Sequence, residues 1–125
     1  DQVYEFPVFV KGDIEKIEQV LINLIVNSIK YGNPNGITML GVESYNDTKF
    51  IIKVIDNGEG IQKEHISRLF ERFYRVDQSR SREQGGSGLG LSIVKHIVEA
   101  HDENILLKST YGEGSEFSFT LEKAR

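Results

Sequence analysis

The chain has 125 residues, a formal net charge of −4 and no cysteine. Its length is that of one domain, large enough to bury a core without disulfide bonds or a structural metal. The lack of cysteine excludes thiol catalysis and cysteine-ligated zinc, and the negative charge argues against duplex nucleic acid as the main partner. No apolar run reaches the ~18 residues of a membrane span, and no signal-peptide pattern opens the chain. Because it begins at Asp1 rather than methionine, we expect one domain, residues 1–125, excised from a longer protein.

Strand and helix patterns alternate along the chain. Pro7 limits the first strand to a sheet edge, and Asp13 is a plausible N-cap for the first helix. Turn residues at Asn46 and Asp47, and again at the Gly-Glu-Gly of residues 112–114, predict two hairpins. The predicted strands are residues 3–10, 37–45, 49–57, 105–111 and 116–122, and the predicted helices are residues 14–31, 63–74 and 89–101. This pattern predicts an α+β fold with one sheet covered by helices on a single face.

Residues 75–88, "RVDQSRSREQGGSG", are charged, small and turn-rich, with no periodic apolar face. They predict a long mobile loop. Long loops in compact domains are usually functional.

The first predicted helix carries a narrow polar stripe formed by Asn23, Asn27 and Lys30, at positions i, i+4 and i+7. The rest of its surface is so apolar that we expect the helix to be buried on most sides. The stripe faces either solvent or a cleft. Asparagine is a weak helix former, and a solvent-facing stripe would more naturally carry Glu or Lys, which favours the cleft.

The segment "VIDNGEGI", residues 54–61, ends a predicted strand and allows two interpretations. Asn-Gly and Glu-Gly pairs are common in tight turns. The same residues also suit a base pocket, in which the Asp56 carboxylate accepts from an exocyclic amine. Gly58 and Gly60 would then let a flat ring approach the backbone.

A second glycine cluster, "GGSGLGLSIVKHIVEAH" at residues 85–101, leads into a predicted helix. Glycine weakens a helix by roughly 1 kcal/mol relative to alanine, so its presence there needs a reason. A helix N-terminus attracts phosphate, and glycine lets the ligand approach the backbone. A flexible hinge is the alternative. The spacing matches neither G-x-G-x-x-G nor the P-loop, and the late "YGEGSEF" taken alone is typical of a hairpin turn.

The order and spacing of these motifs closely resemble the catalytic, ATP-binding domain of sensor histidine kinases. That domain belongs to the superfamily shared with gyrase, the heat-shock chaperone ATPases and the MutL repair proteins. The resemblance covers nearly the whole chain through segments similar to the N box "EQVLINLIVNSIKYG", the glycine boxes "DNGEGI", "GGSGLGLSIVKHIVEAH" and "YGEGSEFSFTL", and the F box "LFERFYRVD". It implies a Bergerat-type two-layer α/β sandwich. The sheet would be mixed and mostly antiparallel, with helices on one face and a mobile ATP lid at residues 75–85.

The resemblance implies ATP and Mg²⁺ as cofactors and gives each matching residue a role. Asn27 would bind magnesium and bridge to the phosphates, with Asn23 beside it. Lys30 would contact phosphate, Tyr31 would lie against the adenine, and Asp56 would accept from the adenine amino group. The remaining implied nucleotide contacts are Gly58, Gly60 and Ile61 at the base, and Gly86, Ser87, Gly88, Leu89 and Gly90 under the phosphates. Phe70 and Phe73 would anchor the lid, and Arg75 would reach the γ-phosphate.

One position separates subclasses of this superfamily. In its hydrolysing members, a Glu four residues before the magnesium Asn is the general base for water, and here that position holds Asn23. An amide cannot take a proton at neutral pH. The resemblance therefore implies phosphotransfer to another group rather than ATP hydrolysis.

Two departures from the family pattern stand near the C-terminus. Asp102 and Glu103 occupy the places where the kinases usually show Gly-Gly, so we expect that turn to use another geometry. Ser115 replaces the usual threonine.

The family's phosphoacceptor is a histidine on a helical hairpin, typically followed by Glu or Asp. His65 and His96 lack that neighbour, and His101 lies at a helix end where the family has a structural histidine. The resemblance thus implies an acceptor on a separate dimerisation domain of the same protein and a downstream response regulator. It implies no nucleic-acid partner, no direct membrane contact by this domain, and a cytoplasmic location at the inner end of a membrane-bound sensor.

Three alternative functions stay open. A degenerate docking module would bind no nucleotide. A serine kinase of the anti-sigma type would use the same fold on a protein serine, although the F box favours the histidine branch. An ATPase with a chaperone or repair function would show real turnover, against which Asn23 argues.

Overall fold

The structure is a computed structural model that describes residues 7–30, 35–74 and 90–124. A sheet with strand order β1-β2-β4-β3 forms one layer, and α1 and α3 pack side by side to form the other. The helices are α1 (Ile14–Lys30), α2 (Lys63–Ile66) and α3 (Gly90–Ala100), and the strands are β1 (Thr38–Ser44), β2 (Lys49–Asp56), β3 (Ile105–Thr110) and β4 (Gly114–Glu122). The predicted α+β two-layer fold is confirmed. Every pairing among the described strands is antiparallel.

The core lies between the sheet and the two long helices. Alternate residues of the paired strands share one face because side chains along a strand alternate in direction. That face meets the apolar sides of α1 and α3. The buried core residues are Val20 and Leu24 of α1, Ile52 and Val54 of β2, Leu69 in the turns after α2, the α3 residues Val94, Ile97 and Val98, and the β4 residues Phe117, Phe119 and Leu121. No helix in the described part of the chain is long and apolar enough to cross a membrane.

Two predicted local structures are confirmed by side-chain hydrogen bonds. Asp13 caps α1, because its Oδ1 accepts from the backbone N–H of Glu15 at 3.1 Å and of Lys16 at 3.2 Å. Asn46 closes the β1–β2 turn, where its Oδ1 accepts from the N–H of Lys49 at 2.8 Å. Both side chains satisfy backbone donors that the regular elements leave unpaired.

The prediction of one amphipathic helix over residues 63–74 is wrong. Only the four residues of α2 are helical, and tight turns follow. The N–H groups of Arg68 and Leu69 bond to carbonyls three residues back rather than four, and Phe73 has φ +66°, which an α-helix cannot contain. This tighter winding lets the consecutive residues Leu69 and Phe70 both pack against the core.

The prediction that α1 is buried on most sides is also wrong. Ile22, Val26 and Ile29 are 52%, 41% and 66% exposed, and Ile14 at the start of the helix is 82% exposed. The layer arrangement explains this, since α1 has the sheet beneath it and α3 on one flank. Its other flank borders β1, a strand at the end of the strand order whose Leu40 is itself 54% exposed.

The first predicted strand lies partly outside the described residues, as do residues 31–34 and the predicted loop at residues 75–88. In the described part, Val10 forms a single antiparallel bridge with Lys123 instead of an extended strand. The backbone N–H of Lys11 extends this contact to the carbonyl of Glu122 at 2.8 Å.

The turn after α3 does not use the other geometry that we expected from the missing Gly-Gly. Asp102 has φ +59°, the left-handed conformation that glycine favours at this position. The N–H of Asp102 donates to the carbonyl of Glu99 at 2.9 Å, and the N–H of Glu103 donates to the carbonyl of Val98 at 3.1 Å. These two bonds form a Schellman motif, so the chain keeps a glycine-type turn with an aspartate in it.

Glu103 connects this turn to the sheet. Its carboxylate is 7% exposed and accepts from Thr120 Oγ1 at 2.6 Å and from Lys49 Nζ at 2.7 Å. The hydrogen bond from Lys49 to this carboxylate raises the pKa of the Lys49 ammonium above its ordinary value. A buried charge is tolerated only when it is paired and hydrogen-bonded, and here both conditions are met.

His101 joins the ends of the two long helices. Its Nδ1 lies 2.8 Å from the carbonyl oxygen of Ile97, which can only accept, so Nδ1 carries the proton. Its Nε2 then accepts from the backbone N–H of Asp13 at 3.1 Å. Both ring nitrogens are engaged within the fold, which agrees with a structural histidine and not a phosphoacceptor.

We expect Asp102→Gly to raise the free energy of unfolding by about 1 kcal/mol, because a left-handed conformation disfavours any residue with a Cβ. The substitution also removes a negative charge from the C-terminal end of a helix dipole. Chemical denaturation of both proteins would measure the change. Lys95→Gly, at an exposed position in the middle of α3, is the control and should lower stability by about 1 kcal/mol. A destabilised Asp102→Gly protein would contradict the assignment of strain to this residue.

Candidate functional site

A row of four polar residues crosses the whole sheet at one end of its helix-facing side. The strand register places Thr38 of β1 opposite Asp56, Asp56 opposite Ser115 of β4, and Ser115 opposite Ser109 of β3. We call these four residues the polar row. The next row on the same face is Leu40, Val54, Phe117 and Leu107, which is entirely apolar. The apolar core therefore ends at the polar row, and a polar surface begins there.

Asp56, the last residue of β2, is held in a fixed orientation. Its Oδ1 accepts from the backbone N–H of Gly58 at 2.9 Å, an Asx-type turn that the sequence Asp-x-Gly allows. One carboxylate oxygen is thus engaged by the loop. Asp56 itself is half-buried, and Gly58 is buried.

Glycines bring the loop after Asp56 into direct backbone contact with the β3–β4 turn. Gly60 has φ +75°, and a Cβ there would lie 2.2 Å from the carbonyl oxygen of Thr110. Gly114 has φ +137°, and a Cβ there would lie 2.1 Å from the carbonyl oxygen of Asp56. Both distances are far below contact, so neither position accepts a side chain. The late glycine motif is thus more than a plain hairpin turn, because it packs against the loop that follows Asp56.

Ser109 ties these segments together through its side chain. Its Oγ accepts from the N–H of Ile61 at 2.8 Å, donates to the carbonyl of Gly114 at 3.1 Å, and lies 2.9 Å from Ser115 Oγ. In addition, the N–H of Gly112 bonds to the carbonyl of Glu59 at 2.6 Å. The loop at residues 56–61 is therefore fixed to the β3–β4 turn by backbone and side-chain bonds together.

The polar stripe of α1 lies between this row and the start of α3. Asn23 Nδ2 donates to the carbonyl of Gly90, the first residue of α3, at 3.4 Å. Five residues further along α1, the buried Ser28 makes a 2.9 Å hydroxyl contact with Thr38 of the polar row. Asn27 and Lys30 are half-buried on the same stretch of helix. The stripe is therefore directed toward neighbouring elements, which favours the cleft over plain solvent.

The aromatic residues after α2 occupy two different environments. Phe70 packs edge-on against Phe117, with ring centroids 6.2 Å apart, so it fixes this segment to the core. Phe73 is 61% exposed, with the Arg72 guanidinium 5.5 Å from its ring centroid. The lid that Phe73 is predicted to anchor lies outside the described residues, so its role stays a prediction.

Other predicted site residues also lie outside the described part of the chain. They are Tyr31, Arg75, Gly86, Ser87, Gly88 and Leu89. Gly90 is described and begins α3 on the solvent-exposed side, with open space where a Cβ would stand.

The donor set near α1 suits one kind of metal ion. The side chains of Asn23 and Asn27 offer amide oxygens, and among the described residues there is no group of three or more His, Cys, Asp or Glu that could hold a metal. Magnesium prefers oxygen ligands and usually keeps several waters and substrate phosphates with only one or two protein ligands. The residues present therefore fit a magnesium ion that arrives with a phosphate ligand, and do not fit an all-protein metal cage.

The family described as histidine kinase-, DNA gyrase B- and HSP90-like ATPases matches residues 12–125 of the chain. The chain belongs to this ATPase family. Its similarity extends to named relatives. It is 41% identical over 114 residues to the sensor histidine kinase WalK of Bacillus subtilis, covering 90% of this chain and 19% of WalK. It is 42% identical over 118 residues to hybrid signal transduction histidine kinase B of Dictyostelium discoideum, covering 92% of this chain and 6% of that protein.

Two solved structures share the fold of this chain. Full-length ShkA in complex with AMPPNP aligns with a TM-score of 0.79 and 25% identity, over 94% of this chain and 24% of ShkA. The nucleotide-free catalytic domain of histidine kinase ThkA aligns with a TM-score of 0.76 and 31% identity, over 93% of this chain and 73% of that one. The expected histidine-kinase-type catalytic fold is confirmed.

Sequence reasoning missed Ser109 and gave Ser115 only a passing note. Neither residue belongs to a glycine pair or to the helix stripe, and a serine in a strand is unremarkable by itself. The signal that could have found them is the register of the second hairpin, which places Ser109 opposite Ser115. Joined to the register between β2 and β4, it leads directly to Asp56.

We expect Gly60→Ala to destabilise this family member by roughly 1–3 kcal/mol, because the new Cβ combines a positive φ with a backbone clash. Thermal unfolding would measure the loss. Gly41→Ala in β1 is the matched control, since a Cβ there meets nothing within 4 Å, and it should be neutral or slightly stabilising. Equal effects of the two substitutions would show that the close contact at Gly60 is not a constraint.

Proposed function

We propose that this domain binds Mg-ATP and donates the γ-phosphate to a histidine on a separate dimerisation domain, as the catalytic part of a sensor histidine kinase. The observation that carries the proposal is the pair of contacts that α1 makes along its length, one from the polar stripe and one from Ser28 beside it. Asn23 touches the first residue of α3, and Ser28 touches the polar row. The two positions are ~7.5 Å apart along the helix axis at 1.5 Å per residue. A ligand along this stripe would meet a helix N-terminus at one end and the Asp56 carboxylate at the other.

The two ends suit the two ends of a nucleotide. A helix N-terminus such as that of α3 has N–H groups without a partner inside the helix and a positive dipole end, which favour phosphate. At the other end, the Asp56 carboxylate is a hydrogen-bond acceptor that suits an exocyclic amine. Gly58, whose N–H holds this carboxylate, would shape the base end of the site. Family membership and the AMPPNP complex of the similar protein ShkA support a nucleotide as the ligand.

Asn27 would hold the magnesium ion, and Lys30 would contact the phosphates. When bound, the ion neutralises phosphate charge and makes the γ-phosphoryl group easier to transfer. Asn23 would orient the phosphates beside the start of α3. Because its amide cannot take a proton, Asn23 does not activate water, so we infer transfer to an incoming histidine in preference to hydrolysis.

The partners follow from that chemistry. Two of the three histidines are engaged within the fold, and His96 is not followed by the Glu or Asp that is typical of an acceptor histidine. His101 uses both ring nitrogens in the fold, and His65 bonds through Nδ1 to the Tyr74 hydroxyl. We infer a dimerisation domain of the same protein as acceptor, a response regulator downstream, and a cytoplasmic location within a longer sensor. The resemblance to sensor kinases that are several times longer supports this inference.

Calorimetric titration of the 125-residue chain with ATP tests the site. We expect Asp56→Asn to weaken ATP binding roughly 10- to 100-fold, because a charge-assisted hydrogen bond to the base is lost. This loss should be the same with and without magnesium. Asn27→Ala should weaken binding only when magnesium is present, since its carbonyl acts through the ion.

The exposed residues Asp47, in the β1–β2 turn, and Asn104, after α3, provide matched controls. Asp47→Asn and Asn104→Ala should bind ATP as the unmodified chain does. If the unmodified chain binds no ATP under either condition, the docking-module alternative replaces this proposal.

Transfer is tested with radiolabelled ATP and a purified histidine-bearing dimerisation domain from a sensor kinase. We expect label on the acceptor that is lost in acid and stable in base, as for phosphohistidine. Acid-stable label on a protein serine would instead support the anti-sigma type of kinase. Rapid release of phosphate by the chain alone would support an ATPase and contradict the inference from Asn23.

A further inference from the structure

We propose that Ser109 contributes to the base selectivity of the nucleotide site by accepting the hydroxyl proton of Ser115, so that Ser115, beside Asp56, presents only lone pairs to a ligand. The proposal rests on the proposed function and adds to it a residue that selects a 6-amino purine over a 6-oxo purine. Ser109 is a positioning residue in this scheme, since it acts through Ser115.

The hydrogen bonds of Ser109 determine the direction of each proton. A hydroxyl group has one proton to donate and two lone pairs that accept. The Ile61 N–H donates to Ser109 Oγ at 2.8 Å. The Gly114 carbonyl can only accept, so it takes the single Ser109 proton at 3.1 Å. The remaining lone pair of Ser109 meets Ser115 Oγ at 2.9 Å, and Ser115 must therefore be the donor in that bond.

The two backbone partners of Ser109 are themselves immobilised, which keeps this arrangement in one state. Ile61 follows Gly60, whose backbone lies against Thr110, and Gly114 lies directly against the backbone of Asp56. Reorienting the Ser109 hydroxyl would leave the Gly114 carbonyl or the Ile61 N–H without this bond. A lost hydrogen bond costs roughly 0.5–1.5 kcal/mol, so the proton arrangement inferred from these partners is preferred.

The consequence appears at Ser115, which is 8% exposed and lies directly opposite Asp56 on the helix-facing side of the sheet. With its proton given to Ser109, Ser115 Oγ can offer only lone pairs to a ligand. The ionised Asp56 carboxylate also only accepts. An exocyclic amine brings two protons and satisfies both groups, whereas a carbonyl oxygen at the same position finds no donor in either of them. A site built in this way rejects the mismatched analogue because its buried polar groups are left unpaired.

Inosine triphosphate is the probe, since it differs from ATP at this edge of the base by an oxygen in place of the amine and a proton on the adjacent ring nitrogen. We would measure the dissociation constants of ATP and inosine triphosphate for the unmodified chain and for Ser109→Ala. We expect the unmodified chain to prefer ATP. In Ser109→Ala the Ser115 hydroxyl is free to donate to the 6-oxo group. The preference for ATP over inosine triphosphate should therefore fall roughly tenfold. Ser109→Thr, which keeps the hydroxyl, should restore it.

Ser118→Ala is the matched control. Ser118 is a buried serine of the same strand β4 on the other face of the sheet, and its removal should leave the ratio of the two dissociation constants unchanged. The double variant Ser109→Ala/Ser115→Ala should show the same ratio as Ser115→Ala alone, because Ser109 has no route to the base except through Ser115.

Each outcome decides one point. Equal weakening of both nucleotides in Ser109→Ala would show a purely structural role and overturn the proposal, as would an unmodified chain that does not discriminate between them. If Ser109→Ala does not fold, Ser115→Ala is the test variant. An unchanged ratio of the two dissociation constants in Ser115→Ala would overturn the proposal. Failure of the unmodified chain to bind ATP at all would instead refute the proposed function.

Discussion

The close approach of two backbone segments is the constraint on which the candidate site depends. The carbonyl of Asp56 lies where a side chain at Gly114 would begin, and the carbonyl of Thr110 lies where one at Gly60 would begin. With side chains at these positions, the end of β2 and the β3–β4 turn would have to separate. The bond from the Ile61 N–H to Ser109 Oγ would then be broken. The glycines of two distant motifs are thus parts of a single contact.

The sequence predicts well what is decided locally and less well what depends on tertiary packing. The Asp13 cap and the Asn46 turn are formed with their own sequence neighbours, and both are confirmed. The helix predicted over residues 63–74 fails because apolar periodicity does not distinguish an α-helix from tight turns that bury two consecutive residues. The exposure of Ile22 was unpredictable for a different reason, since burial of a helix depends on how many layers surround it. Asp56 was found as a candidate from its motif, but its row of polar partners exists only once the strands pair.

The two ends of the sheet are built on different principles. At the end away from the site, Lys49 and Thr120 bind the buried carboxylate of Glu103, and His101 links α3 to the start of α1. These contacts are fully satisfied within the chain. At the site end, Asn23 of α1 contacts the first residue of α3, and one oxygen of the Asp56 carboxylate accepts from the N–H of Gly58. The far end therefore serves the fold alone, whereas the site end combines a loop fixed by close backbone contacts with polar side chains that a ligand can meet.

Asn23 connects this arrangement to the proposed chemistry. A site that must hold a reactive triphosphate until a partner histidine arrives gains nothing from a base that would activate water. An amide at this position can orient a phosphate and contact the start of α3 without taking a proton. The acceptor-only character proposed for Ser115 and Asp56 acts in the same sense, because it would select the nucleotide without contributing to the reaction. In the proposed function, selectivity and positioning thus lie within this domain, and the nucleophile is supplied by a separate domain.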